Sequence, residues 1–196
     1  MKPLAAALLL LALTLVGNAW AQTGHRSGTE AAEEIVPRFL LMDPNGRAVS
    51  SEDFRGRFQL ITFGYTACPD ICPTTLAEMA AVLKELGPRS DKIQPIFITV
   101  DPERDTASVL KAYTAFFDPR IVGLTGSPVV VRRAADNFRV RYEKVRDPAD
   151  PPQRYAVDHS AGLYLIGPDG RLVRRFAYSI PIATLVDQIG QSIDAR

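Results

Sequence analysis

The sequence predicts an α/β fold in which a central mixed sheet is flanked by helices and preceded by a small N-terminal hairpin. Three observations predict it. From residue 35 onward, apolar and β-branched runs of strand length alternate with segments whose apolar residues recur at helical spacing. The middle of the chain reads strand–helix–strand–helix, which requires parallel crossovers, and the end reads hairpin then helix, which adds antiparallel strands. The only two cysteines, Cys68 and Cys72, sit where an apolar strand gives way to a helix.

Each element has a local cause. Phe39-Leu40-Leu41-Met42 and Ala48-Val49 flank Asp43-Pro44-Asn45-Gly46, a strong turn signal, so a hairpin is expected there. Phe58 to Tyr65 is apolar, aromatic and β-branched, as a buried central strand should be. After the cysteines, Leu76, Met79, Ala80, Leu83 and Leu86 share a helix face, and Gly87-Pro88 stops the helix. Ile93 to Val100 is the next strand. Asp105 or Thr106 caps a helix carrying Val109, Leu110, Tyr113, Phe116 and Phe117, which ends before Asp118-Pro119. Ile121 to Leu124 is strand-like, and Ser127-Pro128 is an N-cap followed by proline at the first helical position, opening a helix to about Phe138. Val140 and Tyr142 suggest an edge strand, and the Pro- and Asp-rich stretch 147–153 an exposed loop. Ala161 to Ile166 and Leu172 to Tyr178 flank Gly167-Pro168-Asp169-Gly170, a second hairpin signal, and Pro181 to Ile193 closes the chain as an amphipathic helix. A dithiol at the end of a buried strand in this arrangement fits a thioredoxin-like fold.

The first residues read as an export signal. Lys2 precedes an almost unbroken Ala, Leu and Val run from Leu4 to Val16, and Ala19-Trp20-Ala21 is a small-x-small cleavage site. The run is shorter than the roughly 20 residues of a transmembrane helix, so cleavage before Gln22 is expected over anchoring. Residues 22–34 are polar and read as a flexible linker, leaving 35–196 as one domain large enough for its own core. Loss of Lys2 leaves 22 basic side chains against 22 acidic ones, so the exported chain is nearly neutral and nothing points to nucleic acid. The basic stretch Arg132, Arg133, Arg139, Arg141, Lys144 and Arg146 reads first as a solvated face and second as a dock for an acidic partner.

Outside the cytoplasm a lone cysteine pair is a disulfide by default. Cys68 and Cys72, however, would close a very short loop, which restrains the unfolded chain little and argues for chemistry over stapling. Pro73 suits the first helical position, which would make Cys72 the N-cap; Thr75 with Glu78 offers a later capping box. In both cases Cys72 lies near unpaired N–H groups that favour its thiolate, the nucleophile and metal ligand. Thioredoxin-type redox pairs are Cys-x-x-Cys; the extra residue here widens the loop and suits two sulfurs around a metal, though it does not forbid a disulfide. Of the two histidines, His25 lies in the polar segment beside the cleavage point and reads as solvated. His159 precedes the strand Ala161–Ile166, a place that the thioredoxin fold puts beside the active cysteines, although a lone histidine there is ordinarily a hydrogen-bonded structural residue. Two thiolates and an imidazole suit Cu(I), hold Cu(II), and would also take zinc. Asp158 reads as a surface acid or a group orienting the site. The Asp101-to-Thr106 segment reads as a strand end and helix cap.

Phe63-Gly64-Tyr65-Thr66-x-Cys68-Pro69-Asp70-Ile71-Cys72-Pro73, Val100-Asp101-Pro102-Glu103-Arg104-Asp105-Thr106, Leu124-Thr125-Gly126 and Val157-Asp158-His159-Ser160 together resemble the Sco/SenC family, over about residues 35 to 190. The resemblance implies a thioredoxin-like fold that binds copper, as Cu(I) or Cu(II), through Cys68, Cys72 and His159. It also implies a role in assembling the binuclear copper centre of cytochrome c oxidase, and the export signal makes the periplasm the expected location. Its implied partners are the copper-bearing oxidase subunit or another copper protein, an upstream copper donor and a thiol reductant. A thiol–disulfide oxidoreductase using Cys68 and Cys72 is the alternative that the resemblance leaves open. A peroxiredoxin-like peroxidase, hinted at by Thr66, ranks below both.

Overall fold

The computed structural model describes residues 36–151 and 154–196. The expected leader, linker and His25 lie outside these residues. Strands β1 (Leu40–Met42) and β2 (Ala48–Ser50) form the N-terminal hairpin, closed by Asp43, whose carboxylate accepts the Asn45 and Arg47 N–H groups at 2.8 and 2.9 Å. The central sheet contains β3 (Phe58–Gly64), β4 (Ile93–Thr99), β5 (Val122–Leu124), β8 (Leu163–Ile166) and β9 (Leu172–Phe176), in the order β5-β4-β3-β8-β9. Strands β3, β4 and β5 are parallel, and β8 and β9 run antiparallel to their neighbours β3 and β8, so the expected mixed sheet is present.

Alternation along β3 divides the core between the two faces of the sheet. Phe58 and Leu60 pack with α1 (Ile71–Leu86), with Leu110 of α2 (Ala107–Phe117) and with α4 (Ile182–Asp194). Ile61 and Phe63 pack with α3 (Pro128–Asn137) and with Phe39 and Leu41 of the N-terminal hairpin. All seven residues of β3 are buried, as a strand paired on both sides and covered on both faces must be.

Several expectations need correction. Helix α1 starts at Ile71 with Asp70 as N-cap, so Cys72 is the second helical residue and not the cap. Pro73 is tolerated in this first turn because the first four helical N–H groups have no intrahelical acceptor to lose. Thr75 forms no capping box; its hydroxyl donates back to the Ile71 carbonyl at 2.9 Å. The expected edge strand at Val140–Tyr142 is β6 (Tyr142–Val145), which does not join the central sheet. It pairs antiparallel with β7 (Ala156–His159), in a separate hairpin where a loop was expected. The strand expected from Ala161 begins at Leu163. The N-cap of α2 is Thr106, whose hydroxyl accepts the Val109 N–H; Asp105 has another task.

Candidate functional site

The site lies where the turn after β3 meets the end of β7. Backbone geometry brings Cys68 and Cys72 there together: a 3.3 Å hydrogen bond from Cys68 N–H to the Tyr65 carbonyl tightens the turn, and α1 then carries Cys72 inward. Gly64, the last residue of β3, leaves room for the sulfur. A Cβ at that position would stand 2.7 Å from Cys72 Sγ and 2.9 Å from the Phe97 ring. Both cysteines are free; Cys72 is buried and Cys68 half-buried.

His159 ends β7 opposite Tyr142. Strand alternation points Tyr155, Val157 and His159 one way: Val157 is in the core, and the His159 ring stands edge-on to Tyr65 with centroids 6.0 Å apart. Its Nε2 lies 3.3 Å from Cys72 Sγ. The expected meeting of a late imidazole with the cysteine turn is therefore present. Asp158 alternates away and is exposed, in keeping with a surface acid. Among the described residues no three or more His, Cys, Asp and Glu side chains already form a metal cage. The assembled part is the Cys72–His159 pair, with Cys68 at the mouth of the same turn.

The two thiols differ in acidity. Burial pushes the Cys68 thiol up, but the backbone N–H groups of Asp70, Cys72 and Ile71 outweigh it and hold the thiol below the ordinary cysteine range. Burial pushes the Cys72 thiol far up, and the neighbouring Cys68 adds to the effect. The helix-start N–H groups expected to favour a Cys72 thiolate serve Cys68 instead. Cys72 is thus held as a thiol, and removing its proton exposes a sulfur 3.3 Å from the His159 Nε2 nitrogen. At 3.3 Å apart, the two atoms could be bound by one ion at ordinary zinc-like bond lengths of about 2.3 Å to sulfur and about 2.0 Å to nitrogen. Soft sulfur and imidazole donors fit copper or zinc better than a hard cation.

Around the pair, the segment from Asp101 to Thr106 does more than end a strand and cap a helix. Asp105 is fully buried and accepts the Thr66 N–H at 3.1 Å, the Thr66 hydroxyl at 2.6 Å and the Thr99 hydroxyl at 2.7 Å, so it fixes the start of the cysteine turn. This occupies the Thr66 hydroxyl and weakens the peroxidase reading. Asp101, also fully buried, pairs with Arg104 and accepts the Tyr155 hydroxyl at 2.8 Å. Sequence reasoning missed Tyr155 as a site residue. The available signal was an acid at a strand end with an arginine three residues on; its partner lies 54 positions away.

Comparison with known proteins places this geometry. The model of the SCO1/SenC family matches residues 27–194. The mitochondrial SCO2 homolog of Mus musculus is 38% identical over 202 residues, covering 96% of this chain and 78% of that protein. The crystal structure of Arabidopsis thaliana ScoI with copper bound superposes with a TM-score of 0.76 at 34% identity, covering 83% of this chain and 99% of that one. BsSco, described as a member of the Sco family of cytochrome c oxidase assembly proteins with a disulfide switch, gives a TM-score of 0.63 at 26% identity, covering 83% and 95%.

Proposed function

Because this chain belongs to the SCO1/SenC family, we propose that it binds copper and delivers it for assembly of the copper centre of cytochrome c oxidase, acting outside the cytoplasm after export. The observation that carries the proposal is the 3.3 Å approach of His159 Nε2 to Cys72 Sγ, beside a second thiol in the same turn. Copper is the cargo. Cys68, half-buried and the more acidic thiol, makes first contact; Cys72 then loses its proton, and the imidazole completes the set as the turn closes. Binding releases protons and so strengthens as pH rises through the thiol range. Delivery proceeds by ligand exchange, with a receiving side chain replacing Cys68 first because it is the donor that solvent and partner reach. The apolar run and cleavage site at residues 4–21 support a periplasmic location. Among the described residues no helix is long and apolar enough to cross a membrane.

Anaerobic titration of the reduced protein with Cu(I) and Cu(II) tests this. One copper per chain is expected. Cys68→Ser should weaken both oxidation states, and His159→Ala should weaken Cu(II) at least tenfold. Unchanged Cu(II) affinity without the imidazole defeats the proposal.

The unequal thiols favour one second reading, a thiol–disulfide reductase. Cys68 thiolate would attack a target disulfide, forming a mixed disulfide and releasing one target thiolate. Cys72, its proton passed to His159, would then attack Cys68, releasing the second target thiol and leaving a Cys68–Cys72 disulfide. Trapping a mixed disulfide in a Cys72→Ser protein, together with Cu(II) affinity indifferent to His159, would select this reading.

A further inference from the structure

Arg104 touches both arms of the site without belonging to either. Its Nε donates to Asp101, and its Nη1 donates to the Tyr155 carbonyl at 3.1 Å. Its guanidinium carbon lies 3.8 Å from the centroid of the Tyr155 ring and 5.6 Å from that of Tyr65. Its Nη2 is buried with no hydrogen-bond partner among the described residues, so two nitrogens and two aromatic rings hold the group. Tyr155 immediately precedes the strand that ends in His159, and Tyr65 is the ring on which His159 rests edge-on. The guanidinium therefore holds the histidine arm at its beginning and through the surface beneath its end.

We propose that Arg104 is the positioning residue of the histidine arm, fixing His159 Nε2 beside Cys72 and so determining how strongly the site prefers Cu(II) relative to Cu(I). This deepens the copper reading above and rests on it. The chemistry supplies the selectivity. Two thiolates in one turn are a sufficient soft donor pair for Cu(I). Cu(II) requires a fuller shell in which the imidazole nitrogen is a member. Displacing the histidine arm by a fraction of an ångström therefore costs Cu(II) binding and spares Cu(I). Lysine cannot substitute, because one ammonium cannot at once bond Asp101, bond the Tyr155 carbonyl and lie flat against the ring.

The test is anaerobic titration of the reduced chain with Cu(I) and Cu(II), with electron paramagnetic resonance of the Cu(II) form. The variants are Arg104→Lys, Tyr155→Ala, His159→Ala and the double variant Arg104→Lys/His159→Ala. Arg104→Lys and Tyr155→Ala should each lower Cu(II) affinity at least tenfold, weaken the nitrogen coupling in the spectrum and leave Cu(I) affinity within threefold. In the double variant, Cu(II) affinity should fall no further than in His159→Ala, because Arg104 acts through that ring. Parent-like Cu(II) affinity in Arg104→Lys overturns the proposal. So does an equal loss with and without His159, or an equal loss for both oxidation states; any of these makes Arg104 a general scaffold residue and leaves the copper reading standing. If His159→Ala itself binds Cu(II) like the parent, both readings fall. If either Arg104→Lys or Tyr155→Ala does not fold, the other, which alters the opposite side of the same contact, decides the question.

Discussion

The cysteine arm of the site continues from β3, buried along its whole length and hydrogen-bonded on both edges, whereas the histidine arm ends a two-stranded sheet whose β6 is mostly exposed. Cys72 lies in the core with Tyr65 and Ile61, and the residues that position it also hold the domain together. His159 is placed by one buried side chain of its own strand, Val157, and by the contacts that Tyr155 makes with Asp101 and Arg104. The difference teaches where the site can yield. Opening the cysteine arm means disrupting the central sheet, while the histidine arm can open locally at a lower free energy. Under the proposed delivery role, such asymmetry would let one arm yield while the other holds.

Removing core volume beneath each arm tests the comparison most strongly. Leu76 is fully buried in α1. Leu76→Ala should lower global stability in urea by about 2–5 kcal/mol, and amides of β3 and β4 should exchange correspondingly faster. Val157→Ala removes less volume under the hairpin and should cost about 1–2 kcal/mol, felt as faster exchange of β6 and β7 amides with β3 protection unchanged. Equal acceleration of β3 by both substitutions would show that the two arms unfold as one unit, and the distinction would be lost.

Thiol labelling sharpens the contrast inside the cysteine arm. The thiolate is the reactive form. The Cys68 thiol is held below the ordinary range, so its thiolate fraction, and with it the alkylation rate, should rise with pH and level off earlier than for an ordinary cysteine. Burial holds the Cys72 thiol high and shields it, so it should stay protonated and unlabelled across that range. Peptide mapping after brief iodoacetamide treatment of the reduced, metal-free protein at neutral pH should find Cys68 modified at least tenfold more than Cys72. Equal modification would place Cys72 outside the pocket beside Gly64.

What the sequence made legible follows the same division. The central strands, the helices and the two turn signals Asp43-Pro44-Asn45-Gly46 and Gly167-Pro168-Asp169-Gly170 were readable because burial writes long apolar runs and turns need particular residues. Ser127-Pro128 announced α3 in the same way. Of the β6–β7 hairpin only an edge strand near Tyr142 was readable, and neither β7 nor the pairing was. Each strand has four residues, most of them not buried, and a Pro- and Asp-rich connection separates them. With Val157 the one buried side chain in the two strands, the alternation is too short to stand out in the sequence. The start of α1 was misplaced because proline is acceptable anywhere in a helix's first turn, so Pro73 could not by itself say which residue was first. The approach of His159 to the cysteine turn was expected from the sequence, yet the contacts among Asp101, Arg104 and Tyr155 depend on a pairing that only the fold creates.

The smallest effect belongs to the ion pair beside that cluster. Lys144 Nζ in β6 lies 2.7 Å from Glu103 Oε2, with the two side chains 43% and 58% exposed. Like the Arg104 contacts, it joins the β4–α2 loop to the hairpin, but water competes for both charges and dissolved salt screens them. Glu103→Gln should therefore change stability by about 0.5 kcal/mol or less, and the change should fade as salt is raised. Hairpin amides should exchange less than about threefold faster. The measurement is exchange of the Lys144 and Val157 amides at low and high salt, in the parent and in Glu103→Gln. A loss of protection beyond tenfold, or one that salt does not reduce, would mean that the exposed pair and not the half-buried guanidinium stack fastens the histidine arm. The Cu(II) selectivity assigned to Arg104 would then belong on the surface.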